Sequence, residues 1–189
     1  MSSARGTTPS PTSPSCSRLR LQDPKASLGW NRKAADAGCV DAWLDLSDAY
    51  LNGDGIETDI SEGKKWIIKA AEGNYALAQA NLADMLLYDR RVEHDPGEAL
   101  RWALKAADQG NQRGQATAAF IYGFGSKLKP SFPEDHVLGY MWYLIAQRPN
   151  EVFPQQVPMA HLKAKMTQEE LISAENKAQE WRRQHNASP

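Results

Sequence analysis

Four tryptophans recur along this chain at a nearly constant distance, and this spacing constrains its fold more than any other feature. Trp30, Trp66, Trp102 and Trp142 are separated by 36, 36 and 40 residues. A fixed period of this length is typical of repeat arrays, in which each repeat is one supersecondary unit that buries its apolar face against the next. The sequence therefore predicts about four similar units in succession.

Small and acidic residues follow the same period. An aspartate stands seven residues before each tryptophan, and the fourth residue after each aspartate is small. The aspartates are Asp23, Asp59, Asp95 and Asp135, and the small residues are Ser27, Gly63, Ala99 and Gly139. Apolar spacings of three and four within each segment, with glycine-bearing or charged turns between segments, predict two antiparallel helices per period.

These residue types have separate roles in a helical hairpin. Small residues at the contacts allow two helix axes to approach to about 8 Å, and the tryptophans are expected to seal each hairpin on its neighbour. The aspartates are suited to cap the N-terminal ends of helices. Gly38 and Gly110 are suited to end helices in the left-handed conformation, which glycine adopts without strain.

The repeated pattern resembles that of the SLR, or Sel-one-like, repeats, which are relatives of the tetratricopeptide repeats. The copy that fits best contains Ala42, Leu46, Tyr50, Gly53, Gly55, Ile56, Asp59, Gly63, Trp66, Ala70, Ala71 and Gly73. The resemblance covers about residues 23–148. It implies an all-α fold, an α-α superhelix of antiparallel helix hairpins with a C-terminal capping helix, and a bacterial source.

Two copies depart from this pattern at their turns. In the second copy Asp89 and Arg91 replace the turn glycines. Gly73 also follows Ala71 by two positions instead of three, which we interpret as a missing residue and a distorted turn. The third copy has four additional residues before its aspartate, and its prolines forbid a continuous helix through residues 126–134. This loop is either a contact site or a tolerated surface insertion.

The composition divides the chain into three parts. Residues 1–17 are rich in Ser, Thr and Pro and are expected to be a disordered tail, either a plain extension or an organellar transit peptide. Residues 18–148 are expected to hold the repeats, and residues 149–189 a proline-containing linker and C-terminal capping helices. Thr167 and Glu170 form a capping-box signature before the final helix. The sequence has neither an apolar signal region nor a membrane-length apolar window. We therefore expect a cytoplasmic location, with export by a signal-independent route left open.

No constellation of residues in the sequence indicates catalysis or a cofactor. The four histidines are scattered, and Cys16 and Cys39 have neither disulfide-framework nor metal-ligand spacing, so we expect no metal site and no cofactor. Ser61 and Lys64 match the S-x-x-K signature of serine β-lactamases, but the companion motifs K-T-G and S-D-N are absent. We expect Ser61 to cap a helix and Lys64 to be solvated. A net charge of −1 without a basic stripe argues against nucleic acid as a partner.

The remaining candidate site is the surface of the first helix in each hairpin, which would line the concave side of a curved solenoid. The candidate residues, chosen at about 100° per residue together with one anomalous tryptophan, are Trp43, Asp45, Asp48, Asn81, Asp84, Thr117 and Phe120. An acidic groove ending at Phe120 would suit a basic, partly apolar peptide, with Asp48 and Asp84 as charge partners. Alternatively, the aspartates only solvate the helices and Phe120 packs under the next hairpin. Trp43 is either an end cover for the first hairpin or an exposed anchor.

These observations favour a non-enzymatic scaffold or adaptor that binds a protein or peptide partner, without membrane insertion. A cysteine-rich branch of the SLR family has been linked to β-lactamase activity, so hydrolysis by Ser61 and Lys64 is an alternative, although this sequence lacks the cysteine pairs. A further alternative is an immunity or antitoxin protein that blocks a toxin. Reversing Asp48 and Asp84 to Lys is expected to weaken capture of a partner without changing melting. The sequence leaves the partner and the oligomeric state open.

Overall fold

The computed structural model describes residues 24–147 and 159–186, and all regular structure in those ranges is helical. The helices of these ranges are α1 (Pro24–Asp36), α2 (Val40–Asn52), α3 (Ile60–Glu72), α4 (Ala76–Tyr88), α5 (Pro96–Asp108), α6 (Gln112–Leu128), α7 (His136–Ala146), α8 (Met159–Lys163) and α9 (Gln168–Asn186). The all-α prediction is confirmed. The tail at residues 1–17, Asp23 and the linker at residues 149–158 lie outside the described residues.

The chain divides into two compact units, residues 1–73 and residues 74–189. In the first unit α2 packs on both α1 and α3, around a core that includes Leu28, Ala42 and Leu46. In the second unit α4 packs on α5, α5 on α6 and α6 on α7, and α4 also contacts α6 directly. Within each unit, helices that follow one another in sequence therefore pack side by side, as predicted for helical hairpins.

Aspartates begin the second helix of each described hairpin. Asp59, Asp95 and Asp135 each accept a hydrogen bond from a backbone N–H of the first helical turn, at distances of 2.9–3.0 Å. These bonds satisfy amides that have no partner inside the helix, which confirms the three N-caps. Ser61 is exposed and is the second residue of α3, and Asp59 is the cap of that helix, so the expectation that Ser61 caps α3 is wrong.

The small residues of the period lie where two helix backbones meet. A Cβ added to Gly114 of α6 would stand 2.6 Å from the Cβ of Ala106 and 2.8 Å from the carbonyl oxygen of Ala103, both on α5. A Cβ on Gly139 of α7 would stand 2.9 Å from the backbone nitrogen of Gly123 on α6. No larger side chain fits at these distances, which confirms that small residues permit the close helix contacts.

The four tryptophans differ in burial. Trp142 is 5% exposed and lies edge-on to Trp181 of α9, with 5.8 Å between ring centroids. Trp66 and Trp102 are half-buried, but Trp30 is 53% exposed. The expectation that every indole seals a hairpin is therefore wrong at Trp30. The difference follows from position: among the described helices α1 packs mainly on α2, whereas α7, which carries Trp142, packs on both α6 and α9.

The turn after α3 keeps the 36-residue period. Asn74 has a φ of 63°, and it stands 36 residues after Gly38 (φ 85°) and 36 before Gly110 (φ 78°). Gly73 has an ordinary φ of −68°. The interpretation that a residue is missing after Ala71 is therefore wrong: Asn74 occupies the left-handed position, which asparagine tolerates better than most residues.

The turn after α4 is built by an ion pair instead of glycines. After α2 the corresponding residues, Gly53 and Gly55, have φ values of 81° and 75°. Asp89 has a φ of −80°, and its carboxylate accepts hydrogen bonds from Nε of Arg91 at 2.9 Å and from Nη2 of Arg91 at 2.7 Å. Asp89 and Arg91 thus form this turn without the left-handed residues of the first copy.

The loop within residues 126–134 is shorter than the sequence predicts. Helix α6 continues to Leu128, with non-helical dihedral angles at Phe124, so only the residues after Leu128 form the loop. Phe132 folds back over Gly125: a Cβ on that glycine would stand 2.5 Å from the Phe132 ring. The missing side chain of Gly125 therefore makes room for the phenylalanine that anchors the loop.

Glu134 fixes the end of this loop. Its carboxylate accepts a hydrogen bond from the Ser126 hydroxyl, lies 3.0 Å from Nε2 of His136 and lies 3.6 Å from Nζ of Lys165. The hydrogen bond from Ser126, the hydrogen bond with His136 and the charge of Lys165 together lower the pKa of Glu134 to about 2. The carboxylate is therefore ionised at neutral pH and holds the loop against the neighbouring segments.

The closing helix forms as predicted. The backbone N–H of Thr167 donates to Oε2 of Glu170 at 2.8 Å, and the backbone N–H of Glu170 donates to Oγ1 of Thr167 at 3.3 Å. This reciprocal pair is a capping box at the start of α9. Ala174 and Ala178 are buried, and α9 packs on α7. Helix α9 thus covers the outer side of the last hairpin in the second unit.

Candidate functional site

Three of the predicted surface residues meet in one polar cluster of the second unit. Thr117 of α6 donates its hydroxyl to Oδ1 of Asp84 on α4, at 2.8 Å. Arg113 of α6 donates Nε to Oδ2 of Asp84 and Nη1 to the side-chain oxygen of Asn81, the latter at 2.8 Å. The structure therefore brings Asn81, Asp84 and Thr117 together around Arg113, which sequence reasoning missed.

Asp84 is not the exposed charge that the sequence suggests. The residue is 9% exposed, and burial raises the pKa of its carboxyl even though Arg113 and the Thr117 hydrogen bond act in the opposite direction. Since Arg113 neutralises this carboxylate, the expectation that Asp84 serves a basic partner as a charge partner does not hold. An Asp84→Lys change would bury an ammonium beside Arg113, so the structure leads us to expect a lower melting temperature for it instead of an unchanged one.

Phe120 lies within a row of aromatic rings. Its ring centroid is 6.3 Å from that of Tyr88 on α4 and 5.8 Å from that of Phe124, while Phe124 is itself buried. Phe120 is half-buried, so it is neither a fully exposed anchor nor a residue packed entirely under the next hairpin. Tyr88 is 45% exposed and was not foreseen. Burial and the charge of Asp84 raise the pKa of Tyr88 to about 12, so its hydroxyl stays neutral at physiological pH.

The predicted residues of the first unit are placed differently. Trp43 is half-buried, donates its indole N–H to the carbonyl of Ala35 at 3.0 Å, and carries the ammonium of Lys69 4.7 Å from its ring centroid. Trp43 thus covers the end of α1, which is the end-cover alternative. Asp45 is half-buried and Asp48 is exposed.

A periodic hydrogen bond explains why a tryptophan can occupy position 43. Two repeats later, Gln115 stands in the equivalent position and donates its side-chain amide to the carbonyl of Ala107 at 3.3 Å, and Ala107 is equivalent to Ala35. Both side chains therefore satisfy the same carbonyl at the end of a helix. The indole substitutes for an amide as the donor.

Ser61 and Lys64, which match the S-x-x-K signature, do not contact each other through a hydrogen bond in the described part of the chain. Ser61 is exposed and Lys64 half-buried. Within residues 24–147 and 159–186, no group of three or more His, Cys, Asp or Glu side chains is placed to hold a metal ion. None of the helices described is long and apolar enough to cross a membrane.

Comparison with known proteins identifies the repeat. The family model of the Sel1 repeat matches residues 20–39, 41–75, 76–111 and 115–146. The chain belongs to the Sel1 repeat family. The last three matches correspond to the described hairpins α2–α3, α4–α5 and α6–α7, within three residues at their starts, and the first contains α1.

Solved structures share the Sel1 repeat fold. The c5321 protective antigen of uropathogenic Escherichia coli, which displays an SLR fold, superposes with a TM-score of 0.66 at 27% identity, covering 88% of this chain and 34% of its own. A Sel1 repeat protein from Oxalobacter formigenes superposes with a TM-score of 0.63 at 22% identity, covering 82% of this chain and 62% of its own. The chain thus spans about a third and about three fifths of these proteins, and the helical repeat solenoid is the fold they share. No curated protein matches the sequence.

Proposed function

We propose that this chain is a non-enzymatic scaffold that binds a protein or peptide partner on the first helices of its hairpins. Sel1 repeat proteins generally mediate protein–protein interaction, which supports the proposal. Each unit is proposed to contribute a surface of its own: Trp43, Asp45 and Asp48 in the first unit, and Asn81, Asp84, Thr117 and Phe120 in the second. Asn81, Asp84 and Thr117 act in this scheme by positioning Arg113.

The contact between Tyr88 and Phe120 carries the proposal. Tyr88 is 45% exposed, and leaving its apolar atoms in water is unfavourable. Its ring centroid stands 6.3 Å from that of Phe120, a half-buried residue on the neighbouring first helix. Aromatic side chains in such positions supply large contact area at low entropic cost and are enriched at protein interfaces. Covering these two rings is the gain that a partner would provide.

Recovery of a partner under matched substitutions tests the proposal. Tagged full-length chain is purified from cells of the native host, bound proteins are identified by mass spectrometry, and the partner is then titrated against purified variants. Tyr88→Ala is expected to weaken affinity for the partner at least tenfold, as for an aromatic at the centre of an interface. Ile172→Ala is the control, because Ile172 is an equally exposed apolar residue, 49% exposed, on α9.

Two results would contradict the proposal. The first is a partner that binds wild type and Tyr88→Ala with equal affinity. The second is turnover of a chromogenic β-lactam that Ser61→Ala abolishes, since that would make the chain an enzyme.

A further inference from the structure

We propose that the second unit binds an acidic peptide segment, which places a carboxylate on Arg113 and an apolar side chain on Tyr88 and Phe120. The surface concerned is the α4–α6 face, defined here as Leu77, Asn81, Asp84 and Tyr88 of α4 with Arg113, Thr117, Phe120 and Lys127 of α6. This inference rests on the proposed function and names the class of partner. The proposed partner is acidic, whereas the sequence led us to expect a basic peptide.

The α4 side of this face is one stripe of the helix. Leu77, Asn81, Asp84 and Tyr88 are spaced by four, three and four residues, which places them on the same side. The two ends of the stripe are apolar and open to solvent: Leu77 is 44% exposed and Tyr88 45% exposed. The stripe therefore offers apolar contact on either side of the polar cluster.

The α6 side supplies the charge. Arg113, Thr117 and Phe120 follow the same spacing, and Lys127 lies over the ring of Phe124, 5.1 Å from its centroid. Arg113 and Lys127 outnumber the single carboxylate of this face, Asp84. The Asp84 side chain is 11% exposed, whereas that of Arg113 is 48% exposed. The exposed charges of this face are therefore positive, and an acidic segment complements them.

Arg113 is held ready to receive a carboxylate. Its Nε and Nη1 are bound to Asp84 and Asn81, and Thr117 fixes the other oxygen of Asp84. Nη2 has no hydrogen-bond partner among the described residues. A guanidinium held at Nε and Nη1 loses little rotamer freedom on binding, and its remaining nitrogen, Nη2, can donate to a carboxylate.

The spacing of the two subsites predicts the form of the ligand. Phe120 follows Arg113 by seven helical positions, which is a rise of about 10 Å at 1.5 Å per residue. An extended peptide covers about 3.3 Å per residue, so the acidic and apolar residues of the ligand should stand about three positions apart. We expect an Asp or Glu, followed or preceded at that distance by an aromatic or large aliphatic side chain.

Selection from a random peptide library tests this inference. The full chain is panned against phage-displayed dodecapeptides, and an enriched peptide is then titrated by fluorescence polarisation. We expect the enriched family to be acidic and to carry an apolar residue at the predicted distance. Its affinity should fall as salt is raised, because rim charges are screened. Tyr88→Ala should weaken binding at least tenfold, and the Ile172→Ala control should change it less than twofold.

The charge is tested by removing Arg113 without leaving Asp84 unpaired. Asp84→Asn combined with Arg113→Gln keeps hydrogen-bonding side chains at both positions while removing both charges, and it is expected to weaken binding at least tenfold. Circular dichroism verifies that this variant is folded. If it is not, Lys127→Glu replaces it, because Lys127 is exposed and lies outside the cluster, and it should weaken binding at least threefold.

The outcomes separate this inference from the proposed function. An enriched family that is basic or uncharged but still depends on Tyr88 would overturn the inference and leave the proposed function in place. The same holds for acidic peptides that Tyr88→Ala weakens but the charge variants do not. Equal binding by all variants, Tyr88→Ala included, would count against both. Enrichment of no family at all would count against both.

Discussion

Gly114→Ala is the substitution whose effect the structure predicts most sharply. Gly114 lies in the first turn of α6, and the added methyl group would stand 2.6 Å from the Cβ of Ala106, 2.8 Å from the carbonyl oxygen of Ala103 and 3.0 Å from the backbone nitrogen of Ala107. Ordinary contacts of a Cβ begin at about 3.4 Å. Two of the three neighbours are backbone atoms, so α5 and α6 must move apart to admit the methyl group.

The magnitude follows from two opposing effects. Overpacking costs about 1–3 kcal/mol, and the upper part of that range, about 2–3 kcal/mol, applies here because two of the three neighbours are backbone atoms that have to shift. Alanine in place of glycine within a helix returns at most about 1 kcal/mol of backbone entropy. The net loss is about 1–2 kcal/mol, which for a chain of this length lowers the melting temperature by about 2–8 °C.

The matched control is Gly29→Ala in α1, where an added Cβ meets no atom within 4 Å. This variant keeps only the favourable effect and should be more stable by up to about 1 kcal/mol. Thermal and urea unfolding of the full chain, followed by circular dichroism at 222 nm, would measure both. The packing argument is refuted if Gly114→Ala is as stable as wild type, or if the two variants shift in the same direction.

Three further changes follow from the fold. Trp142→Ala should destabilise the chain by about 3–5 kcal/mol because the ring is buried, whereas Trp30→Ala should cost only about 0.5 kcal/mol; equal urea midpoints for the two would contradict this. Glu134→Gln should be less stable than wild type at neutral pH. The folded pKa of Glu134 is lowered to about 2, so the stability that its carboxylate contributes should be fully present above the ordinary pKa of glutamate and should be lost as pH falls towards 2. Urea unfolding across pH would measure the difference in unfolding free energy between wild type and Glu134→Gln. A difference that stays constant with pH would argue against a lowered pKa for Glu134. Thr167→Ala should cost about 1 kcal/mol and should speed amide exchange at the start of α9, and unchanged exchange there would exclude a working capping box.

The helical hairpins were predictable because their determinants recur in the sequence. Asp59, Asp95 and Asp135 act on amides only a few residues away, and such local effects can be seen in a linear pattern. The small residues were predictable for a similar reason, since Gly114 and its equivalents repeat at a fixed distance. The prediction of a missing residue after Ala71 was wrong because it aligned Gly73, instead of Asn74, with the left-handed position of the other repeats.

The polar cluster was not predictable because its partners come from different repeats and do not recur. Arg113 meets Asp84, which lies 29 residues earlier. The residue one period before Arg113 is Leu77, which has no charge, so no periodic signal marks the pair. Asp48 and Asp84 look equivalent in sequence, yet one is exposed and the other is buried and neutralised. The sign of the surface thus depends on a contact between neighbouring helices that only the folded chain defines.

Hydrogen exchange with a bound ligand tests most directly whether the first helices carry the binding surface. The full chain is compared by mass spectrometry with and without the tightest peptide from the library. The account predicts slower exchange in α4 and α6, across residues 77–88 and 113–127, with α5 and α7 unchanged. Protection confined to α5, α7 or α9 would contradict it.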